Sequence, residues 1–157
     1  MELMVKCGTR YRKADKDEIL SVAARYMVSD VMAESADTPA KMREFVRRYI
    51  GPRDAEVFCA FWINSRHRLL GFDELFQGTV DSAVVIPREV VKKALARNAT
   101  GVVFAHQHPS GEAEASVADE MITKRLTDAL AIVDIRVLDH LIVGGGKVFS
   151  FAERGLL

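Results

Sequence analysis

The stretch from Val102 to Asp119 constrains the fold more than any other, because it reads as a strand, a tight turn and a helix start in immediate succession. Val102-Val103-Phe104-Ala105 is a short apolar run that continues into His106-Gln107-His108. Side chains on a strand return to one face every second residue, so His106 and His108 project together and Gln107 points away. Pro109, Ser110 and Gly111 then turn the chain. Ser116 is suited to cap a helix, and Asp119 at the third helical position faces its carboxylate back toward the loop.

Two imidazoles and one carboxylate aimed at a common point make a metal site. Three protein ligands are the number found in catalytic zinc sites that leave a fourth position to water, and structural zinc usually takes four with cysteines. Neither Cys7 nor Cys59 lies near in sequence. The plainer reading is that Ser116 and Asp119 form only a helix-capping pair and that the histidines are ordinary surface residues. The conjunction of all four favours the metal.

Composition narrows the remaining classes. The 157 residues carry 22 Lys and Arg against 22 Asp and Glu, so the overall balance leaves no electrostatic footprint for nucleic acid, although a local basic patch is compatible with it. No apolar run approaches the roughly 20 residues that span a bilayer, which argues against a membrane partner. Met1 to Lys16 shows no apolar signal segment. Two cysteines do not make a disulfide framework, and Cys59 lies inside an apolar run that suits a buried thiol. These features place the protein in the cytoplasm.

Residues 1–14 lack periodicity and are expected to be extended or poorly ordered, with Lys6, Arg10, Arg12 and Lys13 as a solvated tail rather than a nucleic-acid arm. Asp15 and Glu18 open a first helix running to about Met32, with Leu20, Ala24, Met27, Val28 and Val31 at helical spacing. Thr38-Pro39 opens a second, with Met42, Phe45, Val46, Tyr49 and Ile50 on one face, and Gly51-Pro52 closes it. These stripes read as packing surfaces, and no oligomeric state follows from them.

Beyond residue 51 the period changes. Val57 to Ile63 is a buried strand, Asn64-Ser65-Arg66-His67 a hairpin turn, Leu69 to Phe76 a second strand and Ala83 to Ile86 a third. A helix from Pro87 to about Asn98 carries Val90, Val91, Ala94 and Leu95 inward, and the helix from Ser116 carries Ile122, Leu126, Ala129, Leu130 and Val133. Ile135 to Val143 and Lys147 to Phe151 close a hairpin around three glycines. The sum is an α/β (α+β) fold, a mixed β-sheet flanked by helices, preceded by an arm and a helical pair over residues 1–51.

His106-x-His108, ten intervening residues and Asp119, with Ser116 three before it, resembles the metal signature of the JAB/MPN (JAMM) metalloprotease family. Leu75-Phe76-Gln77-Gly78-Thr79, Pro87-Arg88-Glu89-Val90, His108-Pro109-Ser110-Gly111, Leu138-Asp139-His140-Leu141-Ile142-Val143-Gly144 and Ser150-Phe151-Ala152-Glu153-Arg154-Gly155 are similar to its bacterial RadC-like branch, over residues 52–157. The branch usually has Asn where Gln107 stands and Pro where Ala115 stands; neither position is a ligand, and both bear on loop rigidity. Longer members carry an N-terminal helix-hairpin-helix segment, which has no counterpart in the residues read here. The resemblance implies a JAB/MPN, cytidine deaminase-like sandwich over 52–157. It further implies one Zn2+ on His106, His108 and Asp119 with water in the fourth position, and an amide, peptide or isopeptide bond as the target.

It also assigns Glu56, just before the first apolar strand, as the carboxylate that moves the water proton, with Glu74 and Glu89 as competitors. Ser116, by the same resemblance, places a hydroxyl where it can stabilise an oxyanion. His140 sits in an apolar strand and reads as a satisfied structural residue ahead of a partner to the metal; His67 reads as solvated. Glu112 and Glu114 can contact substrate, though charged loop residues usually mean only solvation. A peptide or protein is therefore the expected partner. A non-hydrolytic module in DNA maintenance is the alternative, and a cupin-like cluster through Glu112 fails because cupins are all-β.

Overall fold

A computed structural model of the protein describes residues 3–27, 38–78 and 85–157. Its centre is a five-stranded mixed sheet in the order β4-β3-β5-β6-β7, formed by β3 (Val57–Ile63), β4 (Leu69–Gln77), β5 (Gly101–Gln107), β6 (Arg136–Gly144) and β7 (Lys147–Ser150). Only β5 and β6 run parallel, and the helix α4 (Val117–Ala131) makes the crossover between them.

Strand β3 explains the layering. All seven of its residues are buried, because both faces of the sheet are covered and an apolar run can fill both. Val57, Cys59 and Phe61 pack with Ala24 of α1 (Lys16–Met27) and with Met42, Phe45, Val46 and Ile50. Phe58, Ala60 and Trp62 pack on the other face with Val90 and Ala94 of α3 (Pro87–Ala96) and Leu126 and Leu130 of α4. Leu95, expected inside, is 55% exposed, since Val90 and Ala94 already fill the contact face of α3.

The second helix begins at Pro39 as expected. As α2 (Pro39–Phe45) it passes into a wider π-helical turn, Val46–Ile50, before Gly51. Gly51 has φ −53°, so it does not terminate the helix by a left-handed conformation. A Cβ there would stand 2.8 Å from the Arg47 carbonyl oxygen, and close approach is what demands glycine.

The amino-terminal residues are more ordered than their composition suggests. β1 (Met4–Cys7) and β2 (Arg10–Lys13) form an antiparallel hairpin. Both terminal guanidinium nitrogens of Arg12 reach the carboxylate of Glu18, at 2.7 and 2.6 Å, tying the hairpin to the first turn of α1. Asp15 and Glu18 exchange side-chain to backbone hydrogen bonds as a capping box. The continuation of α1 through Val28, Val31 and Met32 lies outside the described residues. So do Ala83 and Val84 of the expected third strand, and its remaining residues, Val85 and Ile86, are not in a strand.

Arg53 joins α1, the π-helical turn and β4. It donates to Glu74 Oε1 at 2.6 Å, to Ser21 Oγ at 2.8 Å and to the Tyr49 carbonyl at 3.2 Å, and its side chain is fully buried. Removing one member of a buried pair strands the other charge, at a cost of about 3–5 kcal/mol. Arg53→Ala is therefore expected to lower the urea midpoint strongly, and adding Glu74→Gln should recover part of the loss. A change below about 1 kcal/mol, the size of a surface pair, would show that the network contributes little.

Candidate metal centre

His106 lies near the end of β5, opposite Phe58 of β3 and Ile142 of β6, with its ring on the α4 side and stacked on Phe58 at 5.7 Å between centroids. His108 stands one residue beyond β5, where its backbone N–H still donates to the Val143 carbonyl at 2.9 Å. The sheet thus holds both histidines in strand geometry, as their spacing predicts. The chain then turns, with the Gly111 amide donating to the His108 carbonyl at 3.0 Å.

Ser116 caps α4 as expected. Its backbone N–H and hydroxyl both donate to Asp119 Oδ2, at 2.8 and 2.6 Å, and the Asp119 amide donates to Ser116 Oγ at 3.1 Å. This box turns the Asp119 carboxylate back onto the histidines. Asp119 Oδ1 is 3.1 Å from His106 Nε2, Asp119 Oδ2 is 3.4 Å from His108 Nε2, and the two Nε2 atoms are 3.0 Å apart.

These separations suit one ion. A tetrahedral metal with ligand bonds of about 2.0–2.1 Å sets its ligand atoms about 3.3 Å apart. The three side chains therefore form a cluster that can bind a metal ion. His106 and Asp119 are buried, while the His108 side chain is 17% exposed, so the cluster opens to solvent on the His108 side. His108 Nδ1 donates to the Glu112 carbonyl at 2.9 Å, which leaves Nε2 as the free nitrogen toward the cluster.

The glycine hairpin braces this arrangement from beneath. Gly145 and Gly146 both have positive φ, 55° and 77°, as a two-residue hairpin turn between β6 and β7 requires. A Cβ on Gly144 would stand 2.6 Å from the Glu112 carbonyl carbon, so only glycine lets the loop after the histidines rest on β6.

Electrostatics follow from burial. Burial works to raise the Asp119 carboxyl, but the hydrogen bond and charge of His106 and the two donors of Ser116 prevail and hold it well below the usual carboxylate range. Burial lowers His106, and it lowers His140 further. Burial thus favours the neutral ring at both, the form in which an imidazole ligates a metal.

Glu56 immediately precedes β3, and continuing the Phe58–His106 register places it opposite His108 on the same face. Burial pushes its carboxyl up to about 7, with the His108 charge opposing and the Asp119 charge adding. The competing carboxylates are engaged elsewhere. Glu74 pairs with Arg53, and Glu89 lies on the surface of α3 with Lys92 at 3.0 Å and Arg88 at 3.3 Å. His67 is exposed in the β3–β4 turn, and Glu112 and Glu114 are exposed on the loop.

Gln107 does something its alternation alone does not reveal. Pointing to the opposite face from the histidines, its amide accepts from the Val57 N–H at 2.9 Å and donates to the Ala55 carbonyl at 2.5 Å, bracketing Glu56. The Gln at this position therefore bears on the entry to β3 rather than on the loop after His108. Gln107→Leu should leave two polar backbone groups unsatisfied, a cost of about 1–3 kcal/mol, and should speed hydrogen exchange at the Val57 amide. Unchanged protection there would mean that the entry is held by other contacts.

Two residues that local reading did not assign to the centre are Thr123 and His140. His140 Nε2 is 2.8 Å from His106 Nδ1, and His140 Nδ1 is 2.6 Å from Thr123 Oγ1. The signal for Thr123 was its place four residues after Asp119, on the same helical face. His140 follows from register, since it pairs with Phe104, which shares a face with His106.

Comparison with known proteins finds similarity over most of the chain. The RadC-like JAB domain family matches residues 36–156. A UPF0758 protein of Cellvibrio japonicus is 49% identical over 140 residues, covering 88% of this chain and 62% of that protein. One from Nitrosococcus oceani is 56% identical over 128 residues, covering 82% and 55%. Another, from Methylibium petroleiphilum, is 46% identical over 147 residues, covering 93% and 66%. The chain thus spans between 55% and 66% of the length of these relatives.

Proposed function

Since the chain belongs to the RadC-like JAB domain family, we propose that it is a zinc-dependent hydrolase that cleaves an amide bond in a peptide or protein. The observation that carries this reading is the convergence of His106, His108 and Asp119 beside a half-buried carboxylate held near neutrality.

The donor set, two imidazoles and one carboxylate, matches zinc ligation. A bound zinc supplies Lewis acidity that polarises the scissile carbonyl and makes water deprotonable near pH 7. The chain's own groups do the rest. Glu56, whose carboxyl burial raises to about 7 before any metal binds, takes a proton from the attacking water and returns it to the leaving amine. Ser116 would stabilise the oxyanion of a tetrahedral intermediate by turning toward it the hydroxyl proton that it donates to Asp119 Oδ2 at 2.6 Å. The exposed flank of His108 is the side from which substrate enters.

Among the described residues no helix is long and apolar enough to cross a membrane, and both cysteines are free. We place the reaction in the cytoplasm, where cysteines such as the exposed Cys7 stay unpaired. The test is to measure bound zinc by mass spectrometry and to incubate the loaded chain with a peptide library, reading new amino termini against Glu56→Gln. One zinc per chain and cleavage absent from the variant support the reading. A chain that takes up no zinc, or cleavage equal in both proteins, overturns it.

A further inference from the structure

We infer that Asp17 is a positioning residue for Glu56: its carboxylate, presented by α1, grips the two backbone amides that lead into Glu56 and so fixes where that side chain starts. The consequence for catalysis rests on the hydrolase reading above, but the grip itself does not. The Asp54 amide donates to Asp17 Oδ1 at 3.1 Å, and the Ala55 amide donates to Asp17 Oδ2 at 3.3 Å. Beside them, Lys16 Nζ donates to Asp54 Oδ1 at 2.6 Å. Helix α1 ends at Met27, before residue 36 where the RadC-like JAB domain match begins, so this hold reaches the candidate centre from outside the matched span.

Arg53 to Glu56 belong to neither helix nor strand, so no ladder sets their course. A backbone of this kind keeps one path only where its polar groups are tied down singly. Gln107 fixes the two peptide planes that flank Glu56, through the Ala55 carbonyl and the Val57 amide. The Gly78 amide adds a hydrogen bond to the Glu56 carbonyl at 2.9 Å. Asp17 holds the two planes immediately upstream. Every peptide plane from Arg53 to Val57 thus has a side-chain anchor, from α1 for the first two and from β5 for the last two. A group that moves a proton must stand within hydrogen-bond reach of it, and a misplacement of about 1 Å can cost about a hundredfold in rate.

An acidic residue in the first turn of a helix is ordinarily explained by the helix dipole. Here the start of α1 is already capped by Asp15 and Glu18, each accepting from the other's backbone amide. Asp17 instead directs one oxygen to each of two consecutive amides 37 and 38 positions away. Successive amides converging on one anion is how irregular backbone binds negative charge. Ser21, four positions on and so on the same face of α1, accepts from Arg53 Nη1 at 2.8 Å. One helical face therefore holds the segment at Arg53, Asp54 and Ala55, and a shift of α1 is passed to Glu56.

The experiment compares Asp17→Ala and Asp17→Asn with the wild type in the full-length chain. Asp17 is only half-buried and both replacements are tolerated in a helix, so the variants fold. Both lose the charge, but asparagine keeps an acceptor oxygen and alanine keeps none, so the difference between them isolates the hydrogen bonds. Amide hydrogen exchange, which needs no zinc and no substrate, is read at Gly78, whose N–H reports on the Glu56 carbonyl. Protection there should fall about tenfold in Asp17→Ala and less in Asp17→Asn. On the first peptide that the library shows to be cleaved, Asp17→Ala should lower kcat about 10- to 100-fold with KM and zinc affinity unchanged, and Asp17→Asn should recover part of it. In a Glu56→Gln background the same change should lower the residual rate no further, because Asp17 acts through Glu56. Wild-type protection at Gly78 in Asp17→Ala overturns the inference. So does a wild-type kcat, or an equal fall with and without Glu56. If no peptide is cleaved and Gly78 still responds as stated, the hydrolase reading fails while the hold of Asp17 on Glu56 stands.

Discussion

Asp119→Ala is expected to reduce zinc affinity by at least about a hundredfold. Structural zinc binding is worth about 10–16 kcal/mol over four ligands, so one ligand carries about 3 kcal/mol, roughly two decades in affinity. Asp119 is the only anion among the three candidate ligands, and it contacts both imidazoles. The same change removes the acceptor for the Ser116 amide and hydroxyl, which costs about 1 kcal/mol of helix capping. The loss in affinity therefore far exceeds the loss in stability. A chelator titration monitored beside a thermal melt separates the two. Zinc retained at wild-type affinity would remove Asp119 from the site.

Glu56→Gln is expected to lower turnover by about 10²–10⁴-fold while leaving zinc bound, the range attributed to a positioned acid–base group. The same variant has a signature that needs no substrate. Burial holds the Glu56 carboxyl at about 7 against an ordinary value of 4.5, so the folded zinc-free protein binds that proton more tightly than the unfolded chain does. The stabilisation is fully present below about pH 4.5 and is lost as pH rises through about 7. Glutamine stays neutral throughout. In chelator, the melting temperatures of wild type and variant should converge near pH 4.5, and the variant should be the more stable at pH 8. Parallel profiles would show that Glu56 is not held in a charge-averse environment.

Much of the centre was legible because it is local. The alternation through His106, Gln107 and His108 and the spacing from Ser116 to Asp119 are properties of a single strand and a single helix start, and the structure preserves both. The helices after Pro87 and Ser116 and the strands around the hairpins were likewise within a residue or two of their positions. The amino-terminal hairpin was not, because four-residue strands with mostly exposed side chains have no apolar period; they are held by Arg12 on Glu18 and by pairing with each other. The π-helical turn at Val46–Ile50 also lacks a periodic signature, since the same apolar face serves an ordinary helix.

The sequence by itself determined the fold class, the histidine pair on one strand face and the capped carboxylate one turn into α4, since each follows from side-chain directions within a few residues. Only the tertiary structure decided that Gln107 braces the segment carrying Glu56, that Glu74 belongs to Arg53, and that His140 stands behind His106 with Thr123 behind it. The Gln107 and His140 contacts join residues 50 and 34 positions apart. Strand order and register bring them together, and those are settled by packing both sheet faces at once, which no short window of the chain encodes.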